Sequence, residues 1–531
     1  MPASGHKELE LSFIDQQPHI RVYNRSYIIF HFPDLKLADA ATGALHTGFK
    51  EVLKQYPYLA GTVGMPDISS ERLQVLYPDP INIDAETTRV FTTSFDAAHN
   101  GQFNYDKLAR CSFLPEHLPA SVFCPKLVKY HPGLDDGDHF GIQATSLRKG
   151  PLPAFATQAS FIPNGLVLSL WLYHAVSDGA GTARILEVWS NAVQAMRYTT
   201  NPCFSVLNMP RSGKHPEDLL SARRSLAMQA SHPCLPETQA VNRYPLRSKN
   251  DYEVVTKMFR FSSSAIKAFS ETLSEAIGSH ISCFSTLAAI IWAHILRARL
   301  PVMIASGNTQ SALAIVVDLR RCMEARFSSP DYVGNLVLAS ISRWNVPRTE
   351  RVAHADAVVP LRELVVGLDV DRRIDTSPII PGPTPQEKDV KYLAAFASQI
   401  SDTTHAVNQE WVTTQLSQVL TNPSTAQQAQ LEYANGPDLY ITSWMYMGTD
   451  TQWFIPGTSS SQASAMRRAA WVSEGGITVL PRKADRDGVV GAAYEVMISL
   501  AEADMEAFEK GVNDSGWLLM GNGNGWLRAA L

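Results

Sequence analysis

The period of the apolar positions changes repeatedly along this 531-residue chain, and each change marks an element. Leu11-Ser12-Phe13-Ile14-Asp15 and residues 22–32 read as strands, and Ala40, Ala41, Ala44, Leu45, Phe49, Val52 and Leu53 then recur at helical spacing until Gln55-Tyr56-Pro57 stops the helix. Residues 59–63 predict the start of another strand. Residues 64–150 predict short strands and loops, with turn chemistry at Tyr77-Pro78-Asp79-Pro80 and in the Pro/Gly/Asp-rich stretch that begins at His131-Pro132-Gly133. Two apolar runs, 154–161 and 166–173, are joined by Ile162-Pro163-Asn164-Gly165, a hairpin signal. The second run ends in Tyr173-His174-Ala175-Val176-Ser177-Asp178-Gly179-Ala180-Gly181, and a helix pattern opens at Thr182 and fades near Met196.

The second half repeats the alternation. A strand at 252–261 is followed by a helix at 264–275, for which Ser262-Ser263-Ser264 offers an N-cap, and by a helix at 285–299. Strands are expected at 313–317, 336–341, 439–444, 476–480 and 492–500, with helices at 391–420 and 504–509. Strands alternating with helices in both halves predict an α/β protein. The polar stretch 200–250 reads as a crossover, which divides the chain into an N-terminal domain (1–205), a linker (206–250) and a C-terminal domain (251–531). Residues 371–388, with four prolines, read as a surface loop, and Gly521-Asn522-Gly523-Asn524-Gly525 as a flexible tail.

Composition narrows the function. Charged residues make up 18% of the chain, below the roughly 25% of an ordinary globular protein, which implies a large interior or an apolar substrate channel. A net charge of -5 provides no field for a polyanion, so nucleic acid is excluded as a partner. The six cysteines form no C-x-x-C pair and no cluster with histidine, and they read as free thiols with no metal site. The N-terminus has no apolar signal region, and no segment approaches the roughly 20 apolar residues of a membrane helix, so a cytoplasmic protein without a membrane partner is expected.

The candidate chemistry is an H-x-x-x-D-G turn at a strand end. The bare H-x-x-x-D pattern is weak evidence, because His131 and Asp135 also match it within a loop. His174 differs in following a buried strand, among small residues, with Asp178 placed to brace the turn, and it is well sited as a general base. His131, His280 and His294 read as structural histidines. The basic pairs Arg320-Arg321, Arg467-Arg468 and Arg482-Lys483 read as solvated faces, with contact to the phosphates of a ligand as the alternative.

Further stretches recur in the order and spacing of one family. They are Leu11-Ser12-Phe13-Ile14-Asp15, Tyr56-Pro57-Tyr58-Leu59-Ala60-Gly61, Tyr173-His174-Ala175-Val176-Ser177-Asp178-Gly179, Ser285 to Trp292, Val317-Asp318-Leu319-Arg320-Arg321, Tyr332-Val333-Gly334-Asn335 and Thr442-Ser443-Trp444. The chain resembles the BAHD-type acyl-CoA-dependent acyltransferases, in their fungal, trichothecene 3-O-acetyltransferase-like branch. That resemblance implies two similar chloramphenicol-acetyltransferase-like domains, each a sheet flanked by helices, with a channel at their interface lined near the centre by Tyr173 and Trp444. It implies that His174 is the base and that acyl-CoA, acetyl-CoA foremost, is a co-substrate, with no permanently bound cofactor. The acceptor would be a hydroxyl on a small, apolar secondary metabolite, and the enzyme a monomer. It also implies an ion pair between Asp178 and Arg320, with Arg321 as the fallback, and Gly179 as part of the catalytic turn. Ser443 or Thr442 is the candidate oxyanion donor. The family's D-F-G-W-G segment corresponds to Trp453-Phe454-Ile455-Pro456-Gly457, where only Phe454 and Gly457 match; these two are the coenzyme-binding candidates, and the loss of the rest bears on coenzyme affinity. With no G-x-S-x-G elbow in the chain, transfer within a ternary complex is expected, without an acyl-enzyme. The alternatives are a condensation-type domain taking carrier-bound acyl thioesters, against which Tyr173 stands where a second histidine is usual, and a non-acylating binder on the same fold.

Overall fold

The computed structural model describes residues 5–9, 11–12, 14–65, 72–99, 102–132, 134, 147, 150–199, 243–248, 252–322, 332–346, 390–421, 431–469, 473–483, 492–518 and 526–528. The chain forms two compact units: Met1–Ser231 with Asp318–Val337 and Tyr446–Trp471, and His232–Val317 with Leu338–Met445 and Val472–Leu531. The boundaries drawn at 205 and 251 follow chain order alone. Two segments of the second half belong to unit 1, and they carry Arg320, Asn335, Phe454 and Gly457. Most of the crossover, the proline-rich loop, the Gly/Asn tail, Asp135, Cys203 and Cys234 lie outside the described residues; Cys111, Cys124, Cys283 and Cys322 are free thiols.

Unit 1 is built on a five-stranded sheet in the order Ala465–Arg468, Tyr23–His31, Gly165–Tyr173, Phe155–Ile162, Phe91–Ser94. The hairpin signal is realised by Phe155–Ile162 and Gly165–Tyr173, which pair antiparallel from Ile162↔Gly165 to Phe155↔Leu172. Asn164 takes φ 59° in the two-residue turn, a conformation that asparagine tolerates better than most residues. The other edge of Gly165–Tyr173 pairs with Tyr23–His31, from His31↔Gly165 to Tyr23↔Tyr173. All nine residues of this central strand are buried, which is why its sequence is a continuous apolar run and not an alternation.

Helices Ala38–Gln55 and Gly179–Thr199 pack on one another at Gly48, where a Cβ would come within 2.7 Å of Val193 Cγ2. Trp189 Nε1 donates to the Leu45 carbonyl at 2.8 Å, and the Trp189 ring meets Phe49, Phe91 and Trp453 at 4.9, 5.9 and 5.6 Å.

Three local expectations fail in unit 1. The first strand is His6–Leu9, in a four-stranded sheet with Gln74–Pro78, Thr62–Gly64 and Leu152–Pro153. Residues 11–15 instead make a turn: Ser12 N–H and Oγ both donate to Asp15 Oδ2 at 2.8 Å, and Asp15 N–H donates to Ser12 Oγ at 3.2 Å. Side-chain bonds of this kind compete with a strand ladder. Pro57–Ala60 is a 3-10 turn, so the strand predicted from residue 59 begins at Thr62. Helices Ile83–Val90 and Tyr105–Arg110, capped by Asn82 and Asn104, occupy part of the region expected to be strands and loops.

Unit 2 holds a seven-stranded mixed sheet in the order Val337–Asn345, Gln310–Asp318, Leu439–Ser443, Gly476–Val479, Tyr494–Ala501, Val254–Phe261, Trp526–Arg528. Leu439–Ser443 runs parallel to both of its neighbours. Helix Ser263–Ile277 begins where Ser262 Oγ accepts from Ala265 N–H. The region expected to be one helix at 391–420 is two, Val390–His405 and Gln409–Thr421, because Asn408 Oδ1 accepts from Trp411 N–H and starts a new helix.

Helix Cys283–Ala305 is long and apolar enough to cross a membrane by length and composition, contrary to the expectation that no segment would be. It is mostly buried, and it packs against Ser263–Ile277, Val390–His405 and Glu502–Asp514 in the core of unit 2. Arg299 on this helix is 1% exposed. It donates to Asp504 Oδ2 at 3.1 Å, Glu474 Oε1 at 3.0 Å and the Gly436 carbonyl at 3.2 Å.

Removing Arg299 leaves the buried Glu474 carboxylate with no cation among the described residues and Asp504 with Arg247 alone, so Arg299→Met is expected to destabilise unit 2 by about 3–5 kcal/mol. Urea unfolding checks this, and an unchanged midpoint would contradict it.

Candidate active site

His174 follows the last residue of the central strand of unit 1. Its backbone N–H donates to the Val22 carbonyl at 2.8 Å, and its carbonyl accepts from Ser177 N–H at 3.2 Å and Asn335 Nδ2 at 2.8 Å. The side chain is densely surrounded by protein yet keeps contact with solvent. Burial lowers its pKa below the ordinary 6.5 and Arg468 adds to this, while its own carbonyl, Asp178 and Asn335 act in the opposite direction. A neutral imidazole at neutral pH follows. Burial first, and His174 after it, lower the pKa of His19, in the 3-10 turn Pro18–Ile20, to about 4.

Asp178 begins helix Gly179–Thr199 and is 1% exposed. Oδ1 accepts from Gly181 N–H at 2.8 Å and Arg320 Nη2 at 3.0 Å, and Oδ2 accepts from Arg320 Nη1 and Leu336 N–H, each at 2.9 Å. The pair expected between Asp178 and Arg320 is thus a two-pronged contact inside unit 1. Arg320 also donates to Asp318 Oδ1 and to the carbonyls of Tyr332 and Gly334. Burial works against its charge, but Asp178 and Asp318 outweigh it and hold the guanidinium firmly protonated. With four donors on it, the carboxylate makes no hydrogen bond to the imidazole.

The glycines divide differently from the motif. A Cβ on Gly179 would meet only Met447 Sδ at 3.9 Å, an ordinary contact. On Gly181 it would collide with Ser177 Oγ and the Val333 carbonyl, so the residue that the turn cannot enlarge is Gly181. Tyr173, expected to line a channel, is 1% exposed and packs edge-on against Tyr23 at 5.1 Å.

Phe454 and Gly457 belong to unit 1 and have local reasons for their identity. Gly457 has φ 88° and lies where a Cβ would meet Phe32 Cε2 at 2.7 Å, and the Phe454 ring is capped by the Arg197 guanidinium at 4.5 Å. Both observations assign the segment a packing role. In unit 2, Ser443 ends a central strand and is exposed, with its Oγ accepting from Met445 N–H at 3.4 Å; Thr442 is half-buried and Trp444 is buried at 6% exposure.

Of the basic pairs read as solvated, Arg467 is buried and donates to the carbonyls of Ser112 and Phe113, two residues with φ of 54° and 52°. Arg482 caps the Tyr494 ring at 4.2 Å and donates to Ser263 Oγ. His294 is fully buried beside Arg297, and burial holds its pKa well down. Among the described residues no group of His, Cys, Asp or Glu is arranged to hold a metal ion. Asp15 and Asn335, quoted above only as parts of motifs, converge on His174: Asp15 Oδ1 accepts from Asn335 N–H at 3.0 Å and from Nδ2 at 2.8 Å. No local spacing announces this, since the three residues meet only in the folded chain.

Removing one member of a buried pair costs about 3–5 kcal/mol, so Asp178→Ala is expected to lower both soluble yield and thermal midpoint. Gly181→Ala is expected to do the same while Gly179→Ala leaves the midpoint near wild type. Thermal unfolding of the three variants checks this, and the reverse order for the glycines would contradict the geometry.

Residues 22–193 match the trichothecene 3-O-acetyltransferase-like N-terminal domain, and residues 138–349 match the Transferase family. The trichothecene 8-O-acetyltransferase of Fusarium sporotrichioides is 23% identical over 335 residues, which is 60% of this chain and 63% of that one. An eremophilane O-acetyltransferase of Penicillium rubens is 25% identical over 432 residues, 76% of this chain and 77% of its own. The crystal structure of Fusarium sporotrichioides TRI101 complexed with coenzyme A and T-2 superposes with a TM-score of 0.64 at 17% identity, covering 96% of this chain and 99% of that one. At that identity the likeness speaks for the fold, and it agrees with mixed sheets flanked by helices. His174 and Asp178 lie inside both matched regions, and Arg320 and Asn335 inside the second, so the residues of the candidate site fall where the chain is similar to the Transferase family and to the trichothecene 3-O-acetyltransferase-like N-terminal domain.

Proposed function

We propose that this protein is an acyl-CoA-dependent O-acyltransferase that moves an acetyl or short acyl group to a hydroxyl of an apolar secondary metabolite. The observation that carries the reading is His174: an imidazole kept neutral by burial, in contact with solvent, on a turn held rigid by Asp178 and Arg320. Relatives named for acetylating trichothecenes and eremophilanes, and structural neighbours complexed with coenzyme A, support the substrate classes.

A neutral imidazole, with an ordinary pKa of about 6.5, is too weak to ionise an alcohol outright. It takes the hydroxyl proton as the acceptor oxygen bonds to the thioester carbonyl carbon. The tetrahedral oxyanion then collapses, the carbon–sulfur bond breaks, and the imidazolium returns the proton to the departing thiolate. Both substrates are held together in this scheme, so the acyl group passes directly between them and no acyl-enzyme forms. Ser443 or Thr442 is the proposed donor to the oxyanion; Ser443 is supported by an exposed hydroxyl whose proton no described hydrogen bond uses. Phe454 and Gly457 would influence coenzyme binding through the packing of their segment.

The test is release of free CoA thiol, with product mass, from purified protein supplied with several acyl-CoAs and hydroxylated terpenoid or polyketide acceptors. General-base assistance is worth about 10²- to 10⁴-fold, so His174→Ala is expected to lose activity on that scale with an unchanged thermal midpoint. Equal rates for wild type and variant would refute the base, and consumption of a carrier-bound thioester with no CoA release would replace the reading by a condensation reaction. The active form is the neutral one and burial lowers the pKa, so kcat/KM should fall as pH drops through a midpoint below 6.5. A midpoint above 6.5 would contradict the environment described.

A further inference from the structure

We propose that Asn335, oriented by Asp15, is a positioning residue that fixes the tautomer of His174: its Oδ1 accepts a hydrogen bond from Nδ1–H, leaving Nε2 to receive the substrate's proton. The inference deepens the general-base reading above and rests on it for its catalytic consequence.

The argument starts from the orientation of one carboxamide. Asn335 is fully buried, and its Nδ2 donates to Asp15 Oδ1 and to the His174 carbonyl, each at 2.8 Å. An amide nitrogen has two protons, and both are used here. Exchanging Oδ1 and Nδ2 would set an oxygen against two acceptors, so these partners determine which end is which. Asp15 is fixed in its turn: it is fully buried, Oδ2 is held by Ser12 N–H and Oγ, and Oδ1 also accepts from Asn335 N–H.

Two atoms remain. Among the described residues, Asn335 Oδ1 and His174 Nδ1 are both buried and both lack a hydrogen-bond partner. Buried polar atoms are rarely left unpaired. One of these is an obligate acceptor, and the other becomes a donor in one of the two neutral tautomers; they sit on residues already joined through Nδ2 and the His174 carbonyl. The His174 carbonyl first, and Asn335 after it, act on the ring as hydrogen-bonding neighbours that favour its protonated form. The His174 carbonyl is the competing acceptor, but it already receives Asn335 Nδ2 and Ser177 N–H, which occupy its two lone pairs. Asp178, the other acidic neighbour, has its carboxylate filled by Arg320, Gly181 and Leu336. Arg468, which also acts on the ring electrostatically, disfavours its protonated form and has no acceptor atom to offer it.

The tautomer is measured directly. In the full-length protein with 15N-labelled histidine rings, the His174 signals are assigned by their loss in His174→Gln, and long-range 1H–15N correlations at a pH where the ring is neutral report which nitrogen carries the proton. Wild type is expected to show Nδ1–H with an unprotonated Nε2. Asn335→Ala is expected to give a mixture of tautomers and to lower kcat by about 10-fold or more with KM nearly unchanged. Asp15→Asn keeps the volume but turns one acceptor atom into a donor, and it should shift the tautomer in the same direction. A wild-type proton on Nε2 overturns the proposal without any variant, and so does an Asn335→Ala protein that keeps pure Nδ1–H and wild-type kcat. The base reading fails separately: a fully active His174→Ala would refute it while leaving the tautomer result standing.

Discussion

The constraint on which the site depends is the carboxylate of Asp178, a charge taken out of water and satisfied by four donors. Two come from the Arg320 guanidinium and two from the backbone N–H groups of Gly181 and Leu336. A carboxylate in such surroundings is stable only while all of these remain in place, so it ties the start of helix Gly179–Thr199 to the segment Asp318–Val337. The neighbouring residues repeat the tie one step away, with Asn335 reaching the His174 carbonyl while Leu336 reaches Asp178. A tight turn that small residues alone would leave adjustable is thereby fixed, and Gly181 is the position where the two segments approach too closely for any side chain.

This division of labour shapes the chemistry. Asp178 is spent on holding the backbone, so the imidazole lies near a carboxylate without being bonded to it. Burial then governs the ring's pKa and keeps it neutral. A histidine bonded directly to a free carboxylate would be a stronger base but would also be protonated more readily near neutrality. The arrangement here suits the proposed role of His174, a base that must be unprotonated at rest and need accept a proton only while a new bond forms.

Much of this is legible in the sequence. The hairpin and the helix after it could be read because their patterns are local: an apolar run, a Pro-Asn turn, and helical spacing after the glycines. The partnership of Asp178 with Arg320 came from family resemblance and not from spacing, since the two meet across distant parts of the chain. What could not be read depended on tertiary partners. The turn at residues 11–15 looks like a strand by its apolar residues, but Ser12 and Asp15 bond to each other. Tyr173 sits beside the histidine in sequence, yet its ring faces the core because the strand is buried on both sides. Arg467 looks like half of a surface pair, although the carbonyls of two left-handed residues draw it inside. Phe454 and Gly457 read as remnants of a coenzyme motif, whereas φ 88° and the Phe32 contact explain the glycine by packing.

The central claim is that Asp178 braces the turn and takes no part in moving protons. The most direct measurement is the pH dependence of kcat/KM for Asp178→Asn beside its thermal stability. The account predicts a less stable protein whose acid limb survives and moves to lower pH, because the negative charge that raises the His174 pKa has been removed. A variant of normal stability in which the acid limb has vanished would make Asp178 part of the proton path and contradict it.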